Sequence, residues 1–69
     1  MTHKFIFEAY KAILPSYANA TKAWKENGKH CIKVRLINKQ QFIFTFNSDK
    51  DWCFETVDHH IKRMKKGVH

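Results

Sequence analysis

The sequence predicts a small two-layer α+β domain made of an N-terminal helix, a two-stranded antiparallel hairpin and a C-terminal helix, in the order α-β-β-α. Three observations point there. Between Ile6 and Trp24 the apolar residues step by three and four, the spacing of one buried helical stripe. The stretch "CIKVRLINKQQFIFTF", Cys31 to Phe46, alternates apolar and polar residues on either side of a short polar break, as half-buried strands do. Beyond it, "NSDKDWCFETVDHHIKRMKKG" opens on residues that start helices and carries a second apolar stripe.

The first stripe comprises Ile6, Ala9, Tyr10, Ile13, Tyr17, Ala20 and Trp24. Pro15 falls inside it, where a proline removes a helical hydrogen bond and clashes with the previous turn at a cost of about 3 kcal/mol. The phase survives from Ile13 to Tyr17, so the expectation is a helix kinked at Pro15, or two helices meeting there nearly in line. Gly28 in "ENGK" reads as the left-handed C-cap, with Lys25 and Lys29 at the negative end of the helix dipole. Residues 4–7, "KFIF", are too few and too apolar for periodicity to separate helix from strand.

In the hairpin, Ile32, Val34 and Leu36 share one face and Phe42, Phe44 and Phe46 another. Pairing by face sets Leu36 opposite Phe42, Val34 opposite Phe44 and Ile32 opposite Phe46, which centres the turn on Lys39. A three-residue loop, Asn38-Lys39-Gln40, follows. Such loops need a left-handed residue, and Asn38 tolerates that conformation best. The last helix is expected to start at an N-cap Ser48, with Asp49 and Asp51 in its first turn. Cys53, Phe54, Val57, Ile61 and Met64 form its stripe, and Gly67 ends the pattern. Two strands alone are marginal, so both helices are expected on the Phe-rich face. The open sheet edges make a homodimer that continues the sheet a natural way to enlarge it.

With 69 residues the chain is read as one domain, 1–69. A chain of that length buries only about 60% of its unfolded surface. Its 43% hydrophobic and 14% aromatic content suits so small a core, because large rings bury much area per residue. Thirteen Lys and Arg against six Asp and Glu give a net charge of +7, a field that favours nucleic acid, anionic membranes or acidic protein surfaces. No apolar run approaches the roughly 20 residues of a membrane span, and no signal-peptide pattern stands at the N-terminus. Two cysteines are too few for a disulfide scaffold. A cytoplasmic protein with reduced thiols and no membrane partner is the expectation.

Five residues invite a metal: His30, Cys31, Cys53, His59 and His60. None has the spacing of a structural zinc knuckle, and adjacent helical histidines diverge by about 100°. Cys53 and His60, seven apart, fall on one face of a helix, but a small buried thiol is the commoner role for such a cysteine. Neither metal nor cofactor is expected. Cys53 as a nucleophile would need a base nearer than His59 or His60, and no glycine-rich phosphate loop, catalytic carboxylate pair or serine elbow occurs. The chain therefore reads as a non-enzyme.

Basic surfaces are the remaining signal. Lys33 and Arg35 lie on the hairpin's outer face, opposite Thr45 and Ile43 in the register above, with Lys29 and Lys39 at the two ends. Lys62, Arg63, Lys65 and Lys66 run along the last helix. These six residues, Lys33, Arg35, Lys62, Arg63, Lys65 and Lys66, are the candidate phosphate contacts. Structural explanations compete: Asp58 pairs with Lys62 at i,i+4, cations complement a helix C-terminus, and lysines on a sheet edge discourage aggregation. The function expected is a small basic binding protein, a regulator or accessory factor that contacts nucleic acid. The alternative is a protein-interaction module that docks an acidic protein or dimerises through its hairpin edge, with Trp52, Ile37 and Ile43 as the interface.

Overall fold

The computed structural model describes residues 2–66, with side chains described as far as Lys62. Two helices, four strands and a last helix follow in order: α1 (His3–Ile13), α2 (Pro15–Asn19), β1 (Thr21–Glu26), β2 (Cys31–Leu36), β3 (Gln41–Ser48), β4 (Asp51–Thr56) and α3 (Val57–Lys66). The strands form one antiparallel meander in the order β1-β2-β3-β4. The α+β class stands, but the sheet has four strands where the sequence suggested two.

The N-terminal apolar run is helical. Thr2 caps α1, its hydroxyl accepting from the Phe5 amide at 3.1 Å, and this settles "KFIF" as helix. Ile6 and Tyr10, one turn apart, are fully buried against Ile32, Val34, Phe44 and Phe46. At Pro15 the chain breaks into two helices. Leu14 leaves helical geometry (φ −126°, ψ 65°), and Pro15 opens α2 at a position where a missing N–H costs nothing.

The stripe misleads from Thr21 onward, where the chain is a strand and not helix. A β-bulge between Thr21 and Ala23 inserts Lys22 as an extra residue, so Thr21 and Trp24 meet the core face three residues apart. That is a helical interval made by an irregular strand. Trp24 reaches the core as expected, but from β1, stacked on Phe7 at 4.8 Å. Gly28 does adopt the left-handed conformation (φ +88°), in the β1–β2 turn and not at a helix end. "Asn-Gly" between two alternating runs is a hairpin signal, and here it outweighs the capping reading.

The central hairpin keeps its predicted faces and shifts its register. Val34 pairs with Phe42, Ile32 with Phe44 and Lys33 with Ile43. A shift of two residues preserves which side chains are inward. The loop is Ile37-Asn38-Lys39, one residue earlier than expected, closed by the Leu36 amide on the Gln40 carbonyl at 2.8 Å and the Lys39 amide on the Leu36 carbonyl at 3.0 Å. Lys39, not Asn38, takes the left-handed conformation (φ 73°). Asn38 is committed otherwise: its Oδ1 accepts from the Gln40 amide at 3.0 Å, bracing the turn from within.

The largest correction is β4. Asp51–Thr56 pairs along β3, and Ser48 ends a strand where a helix cap was expected. Thr56 caps α3 instead, its hydroxyl accepting from the His59 amide at 3.1 Å. The predicted helical stripe is thereby split, with Phe54 on the α1 side of the sheet and Cys53 on the other. Nor do both helices share one face. Glu55 and Ile43, on the side away from α1, are only 8% and 2% exposed because α3 covers that half of the sheet. The domain has three layers: α1 and α2, the sheet, and α3 over β3 and β4.

Candidate functional site

The half of the outer face that α3 leaves uncovered belongs to β1 and β2. Alternation along β1 sends Trp24 inward and Ala23 and Lys25 outward; along β2 it sends Val34 inward and Lys33 and Arg35 outward. Lys25 is the direct partner of Lys33, and Ala23 of Arg35. Arg35 in turn pairs with Gln41 on β3. These residues line an open depression of about 310 Å³, with the small Ala23 side chain facing it between the longer ones. No Asp or Glu contributes to the lining.

Electrostatics mark the same spot. The neighbouring Lys25 ammonium, with smaller contributions from desolvation and from a hydrogen bond to Lys25, holds the Lys33 ammonium below its ordinary lysine pKa. Like charges directly opposite in a ladder oppose folding. Protection of an open sheet edge accounts for lysines on β1, the edge strand. It does not account for Lys33 and Arg35, which sit on the interior strand β2.

The predicted site residues divide. Lys33 and Arg35 lie together on the outer face, beside Ile43 and Gln41 and not beside Thr45 and Ile43. Lys62 is exposed on α3, on the same side of the sheet. The side chains of Arg63, Lys65 and Lys66 lie outside the described residues. Lys25, Ala23 and Gln41 were missed, because β1 was read as the end of a helix; the alternation in "TKAWKE" beside "NG" is the signal that would have placed them.

The proposed protein interface is dispersed. Ile37 is 71% exposed at the β2–β3 turn, whereas Trp52, 39% exposed, is the second residue of β4, at the opposite end of the sheet. Ile43 is buried beneath α3 and belongs to no open surface.

A second polar cluster sits under α3. The Glu55 carboxylate, with its side chain 6% exposed, accepts from His59 Nδ1 at 2.9 Å and from His60 Nδ1 at 2.8 Å, one imidazole on each oxygen. Adjacent helical histidines were expected to diverge. They still reach a single carboxylate because it has two oxygens and lies under the start of the helix. Cys31 is buried beside Thr45, 3.5 Å from its hydroxyl, and Cys31 and Cys53 are not joined in a disulfide. Among the described residues no three His, Cys, Asp or Glu side chains are placed to hold a metal ion, and no helix is long and apolar enough to cross a membrane.

Comparison of the chain with models of known protein families, with curated proteins and with solved structures gave no match. The functional reading therefore rests on the site.

Proposed function

We propose that this is a small non-enzymatic binding protein that contacts nucleic acid through phosphates held on the outer face of β1 and β2. The observation that carries the reading is the juxtaposition of Lys25 and Lys33 beside Arg35, lining a depression without a carboxylate. An arrangement that opposes folding calls for an anion to neutralise it, and phosphate suits both point-charge lysines and a bidentate arginine. The net charge of +7 adds long-range attraction of the same sign.

Fluorescence anisotropy with a labelled oligonucleotide duplex at increasing salt tests the proposal. Three phosphate contacts give a log–log salt slope of about −3 or steeper. The double variant K33E/R35E should weaken binding for all sequences alike and flatten the slope by about 2. Absence of binding at about 50 mM salt, or an affinity indifferent to salt, would sink the reading.

A second reading, docking of an acidic protein or a second copy, is favoured by a different surface. Phe5, 54% exposed, and Trp52 flank Phe46 on the α1 side, next to the open edge of β4. Partly exposed aromatic side chains are common anchors of protein interfaces. A solution mass measurement, followed by capture from nuclease-treated lysate with wild type and with Trp52→Ala, separates this reading from the first: dependence on Trp52 supports it, and a monomer that retains nothing counts against it.

A further inference from the structure

We infer that the site takes double-stranded nucleic acid in preference to single strands, with one phosphate ridge of the duplex seated in the depression over Ala23. This rests on the nucleic-acid reading above and narrows it to a class of ligand. The first ground is the placement of the aromatic side chains. Proteins that hold single strands stack bases on exposed rings set among basic residues. Here the sheet aromatics Trp24, Phe42, Phe44, Phe46, Trp52 and Phe54 all belong to the face that α1 and α2 cover, and each is in contact with another ring. Outward-facing positions of β1 and β2 carry only Ala23, Lys25, Lys33 and Arg35 around the depression, with Gln41 beside them on β3; Trp24 and Val34, which also line it, belong to the inward set, and the Trp24 ring is stacked on Phe7. Its outward side chains offer charge and hydrogen bonds, and none of them is an aromatic ring on which a base stacks.

The second ground is rigidity. Lys33 and Arg35 are two residues apart on β2, a separation of about 6.7 Å along a strand. Lys25 stands on the neighbouring strand, about 4.8 Å across. Ladders on both sides of β2 fix its backbone, so the bases of these side chains keep that spacing. A duplex presents its phosphates at fixed separations and at one charge per about 1.7 Å of axis, denser than a single strand, and it releases more counterions per contact. A flexible single strand must lose more conformational freedom than a duplex to match cations anchored at that spacing. The third ground is shape: with Ala23 among longer neighbours, the surface dips where a projecting phosphate backbone would enter.

The test is anisotropy of the intact chain with a labelled DNA duplex of about 20 base pairs, an RNA duplex of the same sequence, and each of their separated strands, at one salt concentration. At least one duplex should bind tenfold or more tightly than its own strands. Equal or tighter binding of the separated strands overturns the inference while leaving nucleic-acid binding intact; no binding to any of the four overturns both. Ala23→Ile fills the depression without changing the charge and suits an exposed strand position. It should weaken duplex binding several-fold at an unchanged melting temperature, and duplex affinity equal to wild type would refute the seat over Ala23. Should that variant melt early, Ala23→Thr, smaller and equally compatible with a strand, is read in the same way.

Discussion

Lys25 on β1 and Lys33 on β2 are direct partners in the antiparallel ladder, so two ammonium groups stand side by side on the solvent face of the sheet. Folding brings them together, and the unfolded chain does not. Lys33 accordingly binds its proton less tightly in the folded state, chiefly because of Lys25. The unfolded chain then holds more protons in the alkaline range below 10.5, the ordinary lysine value, and stability gains from this pair as pH rises through that range. Lys25→Gln should remove this gain, leave the melting temperature at neutral pH unchanged or higher, and weaken duplex binding. Thermal melts as a function of pH, paired with anisotropy, check the three outcomes together. A large loss of stability would mean that Lys25 serves the fold and not a ligand.

Tyr10 makes an opposite prediction in a nearby pH range. The Thr21 hydroxyl donates to the Tyr17 carbonyl at 2.7 Å, so at 2.8 Å it accepts the Tyr10 O–H, tying α1 to the start of β1. Burial, the largest influence, raises the Tyr10 pKa above 10.0. The folded protein keeps this proton after the unfolded chain has lost it, so stability falls as pH rises past 10.0. Tyr10→Phe should lower stability by about 1 kcal/mol at neutral pH through the lost hydrogen bond. It should also soften the alkaline decline, and urea titrations of the two proteins on either side of that pH would show whether it does.

Glu55 distinguishes its two histidines by exposure. The His60 side chain is 18% exposed and that of His59 68%, although their distances to the carboxylate are almost equal. Solvent screening leaves the outer pair worth little. His60→Ala should therefore cost about 1–2 kcal/mol and His59→Ala within about 0.5 kcal/mol. Hydrogen exchange of the α3 amides provides the local readout, with faster exchange expected in the His60 variant alone.

Gly28 holds φ at +88°, and nothing crowds the position where a Cβ would stand. Any cost of a side chain there is one of backbone conformation and not of contact. Gly28→Ala should destabilise the domain by about 1 kcal/mol, and Gly28→Asn by less, since Asn visits the left-handed region more readily. Chemical denaturation of both variants checks the order. Equal effects would mean that the β1–β2 turn relaxes to another conformation.

The parts of the fold that were legible in the sequence are those whose large apolar residues repeat on one face. α1 carries Ile6 and Tyr10 inward at helical spacing, and Ile32, Val34 and Leu36 on β2 and Phe42, Phe44 and Phe46 on β3 recur at every second residue on the α1 side, although α3 also buries Ile43 on the other side of β3. β4 hid for the opposite reason. Phe54 packs on the α1 side while Cys53 and Glu55 face α3, so no clean alternation remains, and the Ser and Asp residues of its entry turn are equally at home in a helix cap. β1 hid because its bulge gave Thr21 and Trp24 a helical interval. The candidate site inherited this pattern: Lys33 and Arg35 were identified from alternation, whereas Lys25 and Ala23 depended on a strand the periodicity did not reveal.

By itself the sequence determined the α+β class, the apolar face of the central hairpin, the break at Pro15 and the left-handed Gly28, because each follows from local chemistry of a few neighbouring residues. Only the tertiary structure decided that the sheet has four strands, that α3 buries Ile43, and that Lys25 meets Lys33. Those features depend on which strands pair and which side of the sheet a helix covers, and both are settled by contacts between segments whose separation along the chain carries no periodic signal.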